Sequence, residues 1–325
     1  MNNFWNLIFI FFLSFLLIKA TDILIINFKA ISSKTRLRQF ALTGLILGLA
    51  TSLPEFFVGL SSAIEGKSIL SLGNIMGANI ANLSLVIGGA ALIGGVLKVH
   101  GAFLRRDVFY AFLAAASPML LLSDKVLSRV DGLILLSLYF FYQITVFSER
   151  TDQGEKKEEA EGRRLLRKFN YSAKGALKKE VAWIFFAVAL LIFAADTLVK
   201  VAVKLALAFN LPLLLVGLLV VAVGTTLPEL VFSIEALRNK QSNMVLGNLL
   251  GSIVVNGTLV IGLAVLISPI TIVNSQSYLV STMAFLLIFT LFYFFVRSKR
   301  RLDHWEGALL LLFYLLFAFF EFRGI

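Results

Sequence analysis

Long apolar stretches alternate with short polar segments along the whole chain. Each stretch is close to or longer than the ~20 residues that an α-helix needs to cross a hydrocarbon core about 30 Å thick. The pattern therefore predicts an all-α polytopic membrane protein with ten transmembrane helices. The predicted spans are 4–27, 40–64, 69–96, 103–122, 130–148, 181–207, 211–237, 243–268, 277–296 and 305–322.

The composition supports a membrane protein and excludes several other classes. Hydrophobic residues make up 59% of the 325 residues, charged residues 15%, and the mean hydropathy is +0.90. Soluble domains hold roughly 45–50% apolar and about 25% charged residues. The absence of Cys excludes a disulfide scaffold and thiolate metal sites. The N-terminus lacks the basic region of a signal peptide, so the first span is expected to stay in the mature protein.

The positive charges predict how the chain is oriented. Of the 30 Lys and Arg residues, 23 fall in the loops on one side of the predicted spans. The positive-inside rule makes this side cytoplasmic and both termini extracytoplasmic, in a cell (inner) membrane. Orientation also accounts for the net charge of +11, so no nucleic-acid partner is expected. Segment 149–180, the largest polar stretch, is expected to be a solvated cytoplasmic linker.

The two halves of the chain repeat each other at a constant separation of 174 residues. Segments 68–93 and 242–267 share 13 identities in 26 positions, including Gly and Asn residues in register. This indicates a duplication, with five-helix repeats at 1–148 and 181–325 and the most similar parts at about 44–95 and 218–269. Five is an odd number, so the second copy must enter the membrane from the opposite face. Inverted repeats of this kind are typical of secondary transporters.

Each repeat carries a carboxylate inside an apolar span, in TSLPE (51–55) and TTLPE (225–229). A carboxylate at bilayer depth is costly unless it is paired, protonated or bound to a cation. The second, third, seventh and eighth spans contain no Lys or Arg that could pair with Glu55 or Glu229. Pro54 and Pro228 are expected to break their helices and leave backbone carbonyls unpaired nearby.

The polar groups of these spans are all oxygen ligands: carboxylates, hydroxyls, carbonyls and the amides of Asn82 and Asn256. This set suits hard cations such as Ca2+ or Na+ rather than Zn2+ or Cu2+. No nucleophile–base pair or phosphate loop is present, so a transporter without a cofactor is expected rather than an enzyme. Asp22 and Asp196 are interpreted differently, as ion pairs with Lys19 and Lys200 at helical spacing.

The repeated motifs resemble the two α-repeats of the cation/calcium exchanger superfamily, in its sodium/calcium exchanger branch of prokaryotic type. The resemblance rests on TSLPE, TTLPE, GNIMGANIAN (73–82) and GNLLGSIVVN (247–256). It implies an antiporter that moves Ca2+ against another cation by alternating access. It also implies that Glu55 and Glu229 bind Ca2+, together with Thr51, Thr225, Asn82 and Asn256. The flanking Na+ positions implied by the resemblance comprise Ser52, Thr226, Ser252 and the carbonyls of Gly48 and Ala222.

The chain departs from the resemblance at Asn256, where relatives commonly have Asp, and at Ala78, where a Ser is usual. The missing hydroxyl at Ala78 bears on the Na+ positions rather than on the Ca2+ site. Three alternatives to Ca2+/Na+ exchange therefore stay open: H+/Ca2+ exchange, a cation channel with a carboxylate-lined filter, and a membrane scaffold.

Overall fold

The computed structural model describes residues 2–35, 52–99, 101–145, 177–240, 242–272 and 276–323. Nearly all of these residues are helical. Most of the predicted linker, 149–176, lies outside them, and its last residues begin a helix. The helices of the described residues are α1 (Asn2–Thr35), α2 (Leu53–Ile64), α3 (Ser68–Gly94), α4 (Gly101–Leu121), α5 (129–145), α6 (Leu177–Phe209), α7 (Leu213–Arg238), α8 (Ser242–Ile267), α9 (Gln276–Lys299) and α10 (His304–Arg323).

The helices confirm a multi-pass helical protein but not the full number of predicted spans. Within the described residues, six helices are long and apolar enough to cross a membrane, and the bent helix α7 makes a seventh if it counts as one span. Leu53–Ile64 and Val108–Asp124 are apolar but shorter. The first half of the second predicted span, 40–51, lies outside the described residues. The ten-span arrangement therefore stays a prediction.

Two short ladders, which the all-α prediction did not include, join the halves of the chain. Each strand has two residues, and each ladder pairs a strand from the first half with an antiparallel strand from the second. The two ladders occupy matching positions in the two halves, about 174 residues apart. The pairs are β1 (Leu97–Lys98) with β4 (Arg301–Leu302), and β2 (Val126–Leu127) with β3 (Ile270–Thr271).

The ends of α3 and α8 are held by side chains from the opposite half. Arg129 Nε donates a hydrogen bond of 3.1 Å to the carbonyl oxygen of Leu266 near the end of α8. At the matching place, His304 Nδ1 lies 2.6 Å from the carbonyl oxygen of Ala91 near the end of α3. A basic side chain at a helix C-terminus satisfies its unpaired carbonyls. His304, predicted in a loop, thus begins α10 and caps α3.

Helix α3 packs directly on α7 because its glycines leave room for the facing backbone. A Cβ atom added at Gly73 would overlap the carbonyl oxygen of Leu214, and one added at Gly77 would overlap that of Leu218. Small residues permit this close approach between membrane helices. The contact brings Gly77 against Ala222, next to the threonines of the second repeat motif.

Helices α1 and α6 pack along each other and form a two-helix unit beside the main core. Their facing side chains belong to an apolar cluster that also includes side chains of α2, α3 and α7, and that is distinct from the larger cluster built by α3–α5 and α7–α10. The outer face of α6 is strongly exposed and apolar, as expected for a surface in contact with lipid, with Phe185 72% exposed. The buried centre of the smaller cluster includes Ile10, Leu13, Leu17, Ala194, Leu198 and Ala202.

The acidic residues of this two-helix unit are paired, as predicted. Lys19 Nζ lies 3.4 Å from Asp22 Oδ2, and Lys200 Nζ lies 2.9 Å from Asp196 Oδ2. Lys200 is also 3.5 Å from Glu65 at the end of α2. Because both partners are partly exposed, water screens the attraction between them.

We expect Gly73→Ala to lower the thermal stability of the purified protein in detergent. The added methyl group must displace the backbone of α7 at Leu214, and overpacking of this kind costs about 1–3 kcal/mol. Ala189→Val on the exposed face of α6 is the control, since it adds volume where there is space. Equal melting temperatures for the two variants would contradict the close packing described for α3 and α7.

Candidate cation site

Both predicted carboxylates lie beside a proline at an irregular point of a helix. Helix α2 begins at Leu53, so Pro54 occupies its first turn and Glu55 follows. Proline is well tolerated there because the first N–H groups of a helix have no internal partner. The break expected at Pro54 is therefore the start of the described helix. In α7 the axis bends by 41° between Leu227 and Glu229, which agrees with the break expected at Pro228.

Glu55 and Glu229 are both buried in the interior, and no basic side chain of the described residues forms an ion pair with them. Glu55 is 1% and Glu229 is 2% exposed, and they are close enough for their charges to repel directly. Both carboxylate oxygens of Glu55 and one of Glu229 lack a hydrogen-bond donor among the described residues. Burial of a carboxylate without donors or a countercharge is strongly unfavourable. These oxygens are therefore available to a cation.

The two predicted asparagines lie where α3 and α8 leave regular α-helical geometry. Asn82 begins a π-helical segment, Asn82–Val86, and Asn256 lies in the matching segment Val255–Val260. Both residues are 1% exposed, and neither Oδ1 atom has a donor among the described residues. Short π-helical segments are rare and occur mostly at functional sites. They free backbone and amide oxygens in the protein interior.

Two hydrogen bonds tie the halves of the site together, and both use residues that the sequence analysis missed. Thr225 Oγ1, which lies beside the Glu55 carboxylate, donates a bond of 3.4 Å to Asn74 Oδ1. Asn256 Nδ2 donates one of 3.3 Å to Asn79 Oδ1. Both bonds are made by α3, and the second leaves the carbonyl oxygen of Asn256 free. Asn74 could have been found from its repetition as Asn248, whereas Asn79 has no polar counterpart.

The other predicted residues surround this centre, except where they fall outside the described residues. Thr226 Oγ1 donates to the Ala222 carbonyl at 2.9 Å, and Thr225 Oγ1 lies 3.2 Å from the same oxygen. Ser52 stands at the start of α2 with a buried hydroxyl that lacks a partner there. Ser252 is 1% exposed, one turn before Asn256. Thr51 and Gly48 lie outside the described residues.

The atoms gathered here are almost all hydrogen-bond acceptors. Within the described residues, no group of three or more His, Cys, Asp or Glu side chains could hold a metal ion. A cation at this place would thus be bound by two carboxylates, completed by amide, hydroxyl and carbonyl oxygens. Ca2+ accepts such mixed oxygen ligands in number and with flexible geometry. Ala78 is buried on α3 one turn before Asn82 and adds no oxygen.

This combination of packed membrane helices and a buried oxygen site is that of an ion transporter rather than an enzyme. The profile of the family "Sodium/calcium exchanger protein" matches the chain twice, over residues 5–148 and 179–323. The chain belongs to this family, as its motifs indicated. The two matches coincide with the two halves of the internal repeat.

Curated relatives and solved structures agree with this assignment. The chain is 26% identical to the sodium/calcium exchanger MaX1 of Methanosarcina acetivorans, over 93% of this chain and 94% of the relative. It is 32% identical to the inner membrane protein YrbG of Escherichia coli, over 71% and 72% of the two chains. The fold is similar to that of the sodium-calcium exchanger NCX_Mj soaked with Na+ and Sr2+, with a TM-score of 0.61, 21% identity and coverage of 96% and 97%.

We expect Asn79→Ala to weaken Ca2+ binding about tenfold. The substitution removes the acceptor that orients the Asn256 amide, and a hydrogen bond of this kind contributes about 1–1.5 kcal/mol. Isothermal titration calorimetry of the purified protein measures the effect. Asn27→Ala is the matched control, because Asn27 bonds only within its own helix, to the Ile23 carbonyl. Equal dissociation constants for both variants would show that Asn79 does not orient the site.

Proposed function

We propose that this protein is a secondary active antiporter that exchanges Ca2+ for Na+ at the site between α2, α3, α7 and α8. The single observation that carries the proposal is the pair of buried carboxylates, Glu55 and Glu229. Among the described residues, three of their four oxygens lack a donor and no basic side chain forms an ion pair with them. Membership of the sodium/calcium exchanger family supports it. The transported ions are the ligands, and no resident cofactor is required.

The charge of the site supplies the physical basis of exchange. Two carboxylates carry two negative charges, which one Ca2+ neutralises and which two Na+ ions or two protons neutralise equally well. A neutralised site can be enclosed by apolar helices, whereas an empty site with two negative charges strongly resists removal from water. Access to the site can therefore change from one membrane face to the other only when the site is occupied, and the two kinds of cation compete for it. This competition couples their movements in opposite directions.

The arrangement of α1 and α6 as a pair supports alternating access. Their apolar cluster is distinct from that of the main core and includes side chains of the site helices α2, α3 and α7, such as Val58 and Val216. We infer that this unit slides against the core and exposes the site to one membrane face at a time. Between the two units, the side chain of Ser14 on α1 lies against Gly224, directly before the repeat motif of α7.

The topology that we propose has ten spans in two inverted repeats of five helices, with the linker in the cytoplasm. The matching ladders and helix caps of the two halves support the duplication. The distribution of Lys and Arg supports extracytoplasmic termini. The name of the Escherichia coli relative supports a location in a cell (inner) membrane.

Proton coupling is the second candidate, because Ala78 leaves the Na+ positions short of a hydroxyl oxygen. A site that binds Na+ poorly would still be neutralised by two protons. This candidate keeps the fold, the carboxylates and the Ca2+ specificity, and changes only the counter-ion.

We expect proteoliposomes loaded with Na+ to take up radioactive Ca2+, and those loaded with choline not to. Glu55→Gln and Glu229→Gln should each abolish the uptake, because a neutral amide leaves one charge of Ca2+ uncompensated in a buried site. Ser62→Ala is the control, since Ser62 bonds only to the Val58 carbonyl of its own helix. Uptake driven by a pH gradient alone would show that H+ rather than Na+ is the coupled ion. Normal uptake by both Gln variants would refute the site.

We expect single-cysteine variants to react with impermeant maleimide according to the proposed orientation. The chain has no Cys, so each introduced thiol is the only one present. Asn2→Cys should be labelled from outside intact cells, whereas Gln153→Cys in the linker should be labelled only after the membrane is opened. The reverse pattern would invert the topology, and labelling of both from outside would exclude a cytoplasmic linker.

A further inference from the structure

Two buried serines, Ser71 on α3 and Ser233 on α7, carry hydroxyls that nothing in the proposed site uses. Both residues are 0% exposed, and neither hydroxyl has a hydrogen-bond partner among the described residues. Buried serines of membrane helices usually bond back to their own helix. Ser14, Ser62 and Ser84 do so, each to the carbonyl four residues earlier. The hydroxyls of Ser71 and Ser233 are therefore free for another ligand.

The repeat shows that these serines are equivalent in space although they are not equivalent in sequence. At the separation of 174 residues, Ser233 corresponds to Gly59 and Ser71 corresponds to Val245. A Cβ atom at Gly59 would lie 3.0 Å from Ser71 Oγ and only 2.6 Å from a methyl carbon of Val260. In the first half there is thus no room for a side chain at Gly59 of α2, and the hydroxyl comes from Ser71 on α3. In the second half the hydroxyl comes from Ser233 on α7, and Val245 of α8 occupies the position that corresponds to Ser71.

Each hydroxyl lies one helical turn beyond a site carboxylate. Gly59, which contacts Ser71, is four residues after Glu55 on α2, and Ser233 is four residues after Glu229 on α7. Residues four apart lie on one face of a helix. In the proposed topology α2 runs towards the outer face and α7 towards the cytoplasm. In that topology the two hydroxyls lie on opposite sides of the carboxylates along the membrane normal.

Amide groups without a full set of partners are also buried on α3 and α8. Asn74, one turn after Ser71 on α3, has a buried Nδ2 without an acceptor, although its Oδ1 accepts the bond from Thr225. Asn248, its counterpart on α8, has neither atom partnered among the described residues. Buried polar groups without partners are costly and rare in native proteins. Their presence on both sides of the carboxylates indicates that water or ions reach these positions during function.

We propose that Ser71 and Ser233 are relay positions, each giving one protein oxygen to a cation that passes between the carboxylates and one membrane face. A cation entering an apolar interior must exchange its hydration shell for protein oxygens, and a gap between oxygens raises the barrier to its passage. Ser71 serves the outer path and Ser233 the cytoplasmic path. Although one serine lies on α3 and the other on α7, each path has one hydroxyl. This inference rests on the proposed transport function.

The test compares radioactive Ca2+ uptake by four variants with that of the unaltered protein. Ser71→Ala and Ser233→Ala should each lower the initial rate about fivefold, the effect of losing one hydrogen-bond-sized interaction in a transition state. The equilibrium dissociation constant of Ca2+ should change less than about twofold, because the hydroxyls lie outside the central ligand set. Ser62→Ala, which removes a hydroxyl already bonded to its own helix, should leave the rate unchanged.

The fourth variant, Ser233→Gly/Val245→Ser, moves the cytoplasmic hydroxyl from α7 to α8 and so copies the arrangement of the first half. Its rate should return to within about twofold of the unaltered protein, since the oxygen is restored in the same place. A purely structural role for Ser233 predicts the opposite, because the double change adds a helix-destabilising glycine to a packed interior.

The last part of the test measures from which side of the membrane each variant takes up Ca2+ more slowly. In vesicles of uniform orientation, Ser71→Ala should slow the access of Ca2+ from the outer side and Ser233→Ala from the cytoplasmic side. Rates equal to that of Ser62→Ala, or a double variant no faster than Ser233→Ala, would overturn the relay positions and leave the exchanger intact. An unaltered protein that carries no Ca2+ would overturn the proposed function and the relay positions with it.

Discussion

The structure is organised around two carboxylates that are buried in the membrane without a countercharge. Glu55 and Glu229 repel each other, and no described residue neutralises them. Such a pair is tolerable only if a cation is bound during part of the working cycle. The surrounding features serve this requirement. Prolines, π-helical segments and orphaned amides all release oxygens in an interior where regular helices would have used them up.

Close packing around the site is the second consequence of this constraint. An ion of charge two must be enclosed tightly by oxygens, and helix backbones must approach closely for that to occur. Gly73 and Gly77 allow α3 to lie directly on α7, and the same contact carries the hydrogen bond between Asn74 and Thr225. The close packing of α3 on α7 and the placement of the polar groups between them therefore depend on the same contact. The two-helix unit of α1 and α6 packs against this region through apolar side chains of α2, α3 and α7.

The duplication gives the site its symmetry, and the departures from symmetry are informative. Asn82 and Asn256 remain equivalent, as do the caps that Arg129 and His304 form on α8 and α3. Asn79 has an apolar counterpart, and it is Asn79 that orients Asn256. Ser71 and Ser233 come from different positions of the repeat, and both carry a buried hydroxyl without a partner among the described residues. Such differences allow one half to evolve without losing a group that the site needs.

The sequence by itself determined the membrane class, the duplication and the exchanger family, and it predicted the two carboxylates that the structure buries. Each of these follows from local properties: apolar length, residue identity at a constant separation, and a Glu with no basic residue in reach along its helices. Only the tertiary structure decided that Asn74 and Asn79 bond to Thr225 and Asn256, that His304 caps α3, and that Glu65 pairs with Lys200. It also located the π-helical segments and the start of α2 at Leu53. These features depend on which helices meet and at what depth, and helix contacts join residues far apart in sequence whose identities carry no mark of their partner.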